Sequence, residues 1–160
     1  MMEENYSYFF MASTIGGLCL ALNLYGLIFS RLIIVDFFPF KFIKNHNYNF
    51  LKFKKHLPLI IINLLIMCIL FPLGIMAISN FVIVPFDKFQ ILLFQILVIL
   101  IFDDFYFYWF HRLMHSNKFL FEKVHIIHHK ASNPFPADYL YEHPIEWIIG
   151  LFGPFIGIVI

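Results

Sequence analysis

Charge is what this chain is short of. Asp, Glu, Lys and Arg make up 13% of its 160 residues, about half the ~25% of an ordinary soluble domain. Cysteine is scarce as well. Cys19 and Cys68 both sit inside apolar runs, which excludes a disulfide framework and a thiolate metal site and reads as buried membrane thiols. The opening "MMEENYSYFF" has acids where a secretory signal would have lysines, so the first apolar run is read as an uncleaved membrane segment. With a net charge of +1 and no polybasic tail, a nucleic-acid partner is not expected. There is no internal repeat, no dinucleotide-binding glycine fingerprint, no P-loop and no serine-hydrolase elbow. What remains is 61% hydrophobic and 21% aromatic, the composition of an integral membrane protein, with a length suited to one domain.

The apolar runs divide the chain. Residues 5–30 carry no charge and are long enough to cross a hydrocarbon core of roughly 30 Å. Residues 36–56 set Lys41, Lys44, Lys52, Lys54 and Lys55 against Asp36 alone, the pattern of a short cytosolic loop; His46 and His56 are read as solvated members of it. Residues 57–86 are again uncharged, and Pro72 and Gly74 within them predict a kink or break. A kinked span followed by a turn at "VPFDKF" is the first choice, and a re-entrant hairpin is the alternative. A third run, 89–102, leads into "DDFYFYWF", whose Tyr106, Tyr108 and Trp109 resemble an interfacial belt. If the lysine loop is cytosolic, the third span returns to that face. Residues 130–144 read as a loop punctuated by Pro134, Pro136 and Pro144, and an apolar run follows from Trp147. The expected fold is all-α, with about three or four transmembrane helices in residues 1–102 and a cytosolic helical cap built from residues 103–160.

The stretch "FHRLMHSNKFLFEKVHIIHH", residues 110–129, holds five of the eight histidines. His111 and His115 are spaced i, i+4; His125, His128 and His129 are spaced i, i+3, i+4. Each set shares a helical face, and neutral imidazole is the commonest protein ligand for iron, copper, zinc and nickel. Interfacial histidines satisfied by lipid headgroups would not concentrate in this way, so all five are candidate metal ligands. Asp104 falls within about 40° of His111 and His115 on a helix and is expected to accept a hydrogen bond from a ligand imidazole, fixing its tautomer. Tyr108 lies near the same face, Asp103 is read as an interfacial carboxylate facing water, and His143 is an additional candidate. Arg112 follows His111 where a zinc protease needs glutamate. A histidine-rich site without thiolates suits iron and dioxygen, an oxidant able to attack a C–H bond that acid–base side chains cannot.

With "HRLMH" and "HIIHH" placed after an apolar hairpin, the chain resembles the fatty acid hydroxylase/sterol desaturase superfamily of membrane di-iron oxygenases. The stretch "NPFPADYLYEHPIEWIIGLFGPFIGIVI" is similar to the one that follows the second histidine box in C-4 methylsterol monooxygenases, matching at Pro134, Phe135, Tyr141, His143, Pro144 and Glu146. The resemblance covers residues 103–160. It implies an endoplasmic reticulum enzyme with cytosolic histidine boxes that oxidises the C-4 methyl group of a sterol precursor. Dioxygen would be the oxidant, and electrons would come from an NAD(P)H-dependent reductase or cytochrome b5. It also implies that His111, His115, His125, His128 and His129 ligate a di-iron centre, and it places His143 at a family histidine. Family members carry a further His-x-x-His-His box downstream, and this sequence ends in an apolar run before one. The expectation is therefore an N-terminal part of a longer enzyme; a truncated, non-catalytic membrane relative that binds partners or lipid is the alternative. A sister hydroxylase or desaturase acting on fatty acyl, sphingoid or other sterol substrates is a further reading, against which the Tyr-x-His-Pro-x-Glu match weighs. A metal-uptake protein would need acids or histidines along the spans, which only Asp103 and Asp104 approach.

Overall fold

The computed structural model describes residues 2–35, 37, 50–78, 89–131 and 134–159. Inside a bilayer the backbone must satisfy its own polar groups, so long uncharged runs become helices. Helix α1 spans Met2–Ile34, α2 spans Phe50–Ile78 and α3 spans Phe89–Ser116. Within them the segments Ala12–Ile34, Phe50–Ile78 and Leu93–Ser116 are long and apolar enough to cross a membrane. No strand occurs among the described residues. Polar side chains within α1 are absorbed locally, with the Thr14 hydroxyl donating to the Phe10 carbonyl at 2.9 Å and Ser30 to Gly26 at 2.8 Å.

One boundary differs from the sequence reading and one alternative falls away. Helix α2 runs unbroken through Pro58 and Pro72, so the second region is a single span, the first choice, and is neither broken at "FPLG" nor a re-entrant hairpin. Pro72 forfeits one backbone hydrogen bond, and its ring lies where α1 has no side chain: a Cβ on Gly16 would stand 2.9 Å from Pro72 Cγ. The basic loop also ends earlier than residue 56, because Lys52, Lys54, Lys55 and His56 form the first turns of α2. Residues 38–49, with Lys41, Lys44 and His46, and the far-side turn at 84–88 lie outside the described residues.

Beyond α3 the elements are short. Asn117 caps α4, Lys118–Leu120, its side chain accepting from Leu120 N at 3.1 Å. A π-helical turn, Phe121–His125, leads into α5, Ile126–His129. A 3-10 turn covers Pro136–Leu140, followed by α6, Pro144–Gly150, and α7, Phe152–Val159. His143 caps α6, accepting from Ile145 N at 3.1 Å, with Pro144 at the first helical position.

Buried polar contacts latch the 3-10 turn across one end of the bundle. Ala137 N donates to Ser30 Oγ of α1 at 3.0 Å, and the Tyr139 hydroxyl donates to Asn23. His56 Nδ1 of α2 meets Asp138 Oδ1 at 2.8 Å, while Asp138 Oδ2 accepts from Phe135 N at 2.9 Å. Deeper in α2, Asn63 Nδ2 donates to the carbonyls of Leu140 and Glu142 at 2.8 and 2.9 Å. Ile60, Leu64 and Met67 of α2 pack with Ala137 and Leu140 around these bonds, so the latch joins an apolar core to a set of buried hydrogen bonds.

Helices α6 and α7 then turn back along α3. The Tyr106 hydroxyl donates to Ile149 O at 2.9 Å, Gly153 lies against Asp103, and Gly157 lies against Ile99. The α3 numbers fall as the α7 numbers rise, so the two are antiparallel and a fourth apolar segment re-enters the bundle. Gly153 and Gly157, four apart, let the backbones approach. A Cβ at Gly157 would stand 2.6 Å from Ile99 Cα and 3.0 Å from Ile99 O, and backbone cannot yield as a side chain can. Gly157→Val is expected to cost about 1–3 kcal/mol of stability, read as lowered thermal stability in detergent. Gly150→Ala, where a Cβ meets nothing within 4 Å, is the neutral comparison.

Candidate metal centre

The last turn of α3 brings His111 and His115 onto one face, with Nε2 atoms 3.1 Å apart. The π-helical turn and α5 bring His125 and His129 against them. His125 Nε2 lies 3.1 Å from His115 Nε2 and 3.0 Å from His129 Nε2, and His129 Nε2 lies 3.3 Å from His115 Nε2. All four donor atoms fall within 4.8 Å of one another. Two nitrogens on a single ion at about 2.1 Å stand about 3.0 Å apart at a right angle and about 3.4 Å apart at a tetrahedral angle. Four imidazoles converging at these separations can share protons only in part, whereas one cation satisfies all of them.

Burial and the neighbouring imidazoles of His129, His115 and His128 push His125 down to about 4, so it is neutral near pH 7, the form that ligates metal. Its ring is fully buried, and Nδ1 lies 2.7 Å from Oε1 of the buried Glu146. A neutral imidazole has one N–H; shared with Glu146, it leaves a lone pair on Nε2, the atom that faces the other histidines. Burial raises Glu146 to about 7, a rise that the nearby His128 opposes, and raises the adjacent Glu142 to about 8 with help from Glu146. Two further imidazole atoms, His111 Nδ1 and His128 Nδ1, are buried without a hydrogen-bond partner. The donor set fits a transition metal that accepts imidazole, iron included.

The structure sorts the sequence candidates. His111, His115, His125 and His129 come together. His128 is not among the four residues whose donor atoms lie within 4.8 Å of one another; its ring stacks on that of His125 at 5.7 Å between centroids. On an ideal helix residues i and i+4 lie about 40° apart, but i+3 lies about 60° to the other side, so His129 follows His125 and His128 diverges. Asp104 is exposed and bonds no histidine among the described residues. It has the right face but lies seven residues below His111, about 10 Å along the axis. Asp103, read as water-facing, is half-buried against Gly153 instead. The Tyr108 hydroxyl accepts from Arg112 Nη1 at 3.0 Å and does not join the cluster. His143 caps α6 through Nδ1 and is absent from the four-donor set. His56, read as solvated, is buried against Asp138 and stacks on Tyr141 at 3.8 Å between centroids.

Glu146 is the contact of the cluster that helix periodicity misses. It lies 21 positions after His125 and reaches it only because the 3-10 turn folds back over α2. The Tyr-x-His-Pro-x-Glu match contained it but assigned it no partner.

Residues 96–160 match the fatty acid hydroxylase family. The matched segment contains every histidine of the cluster and Glu146. The chain is 37% identical to methylsterol monooxygenase 2-1 of Arabidopsis thaliana over 73 residues, which is 46% of this chain and 26% of that protein. It is 43% identical to methylsterol monooxygenase 2-2 of the same plant over 63 residues, 39% of this chain and 23% of that protein. It is also 34% identical over 73 residues to a very-long-chain aldehyde decarbonylase of Oryza sativa, 46% of this chain and 27% of that protein. The chain thus spans about a quarter of the length of the curated relatives it matches. No solved structure matches it.

Proposed function

We propose that the chain provides the histidine-bearing part of a non-haem iron oxygenase of membranes that oxidises the C-4 methyl group of sterol precursors. The observation that carries this reading is the convergence of four imidazole Nε2 atoms at the end of a membrane helix, backed by a buried carboxylate. Bound iron would supply the activation of dioxygen needed to attack an unactivated C–H bond. His111, His115, His125 and His129 would hold one iron, and His128, with its unpartnered buried nitrogen, would serve the second iron of a pair. The methylsterol monooxygenase relatives support the sterol substrate.

The chain's own residues suit an apolar substrate arriving from the bilayer. A cavity of about 520 Å³ lies between α3 and α7, lined by Phe102, Phe105, Trp109, Phe110, Leu113 and Ile156. On α3 these residues lie largely opposite the face of His111 and His115, and their aromatic rings exclude water from a lipid. An endoplasmic reticulum location with the cluster on the cytosolic face, and electrons delivered by cytochrome b5 or an NAD(P)H-dependent reductase, complete the reading; the lysines that precede the second span support that orientation.

The test supplies iron, a reductase system and ¹⁸O₂ to the protein in nanodiscs with a 4-methylsterol. Mass spectrometry is expected to find ¹⁸O at the C-4 substituent, as alcohol or acid. The aldehyde decarbonylase relatives favour a second reading, in which a long-chain aldehyde is consumed and the sterol is untouched. Turnover of neither substrate by the iron-loaded protein would contradict both.

A further inference from the structure

The cluster has a built-in orienting group. Glu146 is 2% exposed, and its position is fixed from several directions. Pro144 and the His143 cap set the first turn of α6, Trp147 Nε1 donates to Asn63 O at 2.9 Å, and Ile149 O accepts from Tyr106. Its Oε1 lies 2.7 Å from His125 Nδ1, while His125 Nε2 lies 3.0 and 3.1 Å from His129 and His115. The imidazole is therefore held at both ends: one nitrogen on a rigid acceptor, the other aimed at three further donors.

We propose that Glu146 is a positioning residue for the metal centre: by accepting a hydrogen bond from His125 Nδ1–H it fixes that ring's tautomer and angle, so that Nε2 presents its lone pair to the ion. The inference rests on the metal reading above and deepens it. It assigns to the re-entering α6 the task that helix periodicity gave to Asp104. It also ties the latch to the centre, since the turn that docks on α2 through Asn63 is the one that delivers the carboxylate. Partners of this kind typically change metal affinity by about 10–100-fold when removed.

Cobalt(II), whose visible bands report the number and geometry of nitrogen donors, is the probe. It is titrated into the full chain in nanodiscs. Wild type is expected to bind it with the bands of a nitrogen-rich site. Glu146→Ala should lose about 10–100-fold in affinity with altered bands. Glu146→Gln, whose amide oxygen can still accept a hydrogen bond from Nδ1–H, should recover most of both. Leu140→Ala removes a fully buried side chain of the same segment without touching a histidine, and should lower stability while leaving the bands intact. Equal binding and spectra for wild type and Glu146→Ala would overturn the positioning role alone. So would a Leu140→Ala spectrum matching that of Glu146→Ala, because the effect would then be general loosening. Failure of wild type to bind cobalt(II) would overturn the metal reading itself and the inference with it.

Discussion

His115→Ala is expected to abolish tight binding of the proposed iron and to leave the fold in place. His115 Nε2 is the hub of the cluster, 3.1 Å from His111, 3.1 Å from His125 and 3.3 Å from His129. Removing it takes away a donor rather than a supporting contact. Affinity should therefore fall by more than about 100-fold, beyond the range for an outer hydrogen-bond partner. The ring is exposed and alanine is the best helix former, so stability should stay within about 0.5 kcal/mol of wild type. Iron content after chelator wash, beside a thermal melt, separates the two. His128→Ala is the informative contrast: it leaves the four-donor set whole and should remove no more than one iron of a pair.

The second large effect belongs to the latch. Asn63 is fully buried, and its side-chain amide is shared between the Leu140 and Glu142 carbonyls. Asn63→Leu keeps the volume and withdraws both donors, leaving two buried carbonyls without partners at about 1–3 kcal/mol each. A loss of about 2–5 kcal/mol is expected, seen as a lowered melting temperature. Like Leu140→Ala, the variant should lower stability while keeping the nitrogen-donor spectrum of the metal site. Asp104→Asn, by contrast, should change neither, because that side chain is exposed and bonds no histidine among the described residues. An Asn63→Leu protein as stable as wild type would mean that the turn is held by its apolar contacts alone.

These two results bear on what could be read from the sequence. Hydropathy located the spans, since a backbone in lipid has few alternatives to helix. Spacing found the cluster, because His111 with His115 and His125 with His129 are i, i+4 pairs that a helix aligns. Periodicity failed where height or tertiary return decided the outcome. Asp104 shares the face of His111 yet sits two turns away, and Glu146 arrives from a segment that first docks on α2. His128 lies apart from the four-donor set because i+3 and i+4 lie on opposite sides of i. Pro72 with Gly74 read as a kink or break, the first choice being a single span; that the helix continues is helped by Gly16 on the neighbouring helix, which leaves room for the Pro72 ring. The Gly153 and Gly157 face was present in the sequence, but its significance depended on α7 running back along α3.

The central claim is that these imidazoles form one metal centre, and X-ray absorption at the iron edge tests it most directly. On iron-loaded protein the account predicts imidazole nitrogens at about 2.0–2.2 Å, with most of that signal lost in His115→Ala. Iron that is absent after loading, or an iron spectrum unchanged by His115→Ala, would contradict it.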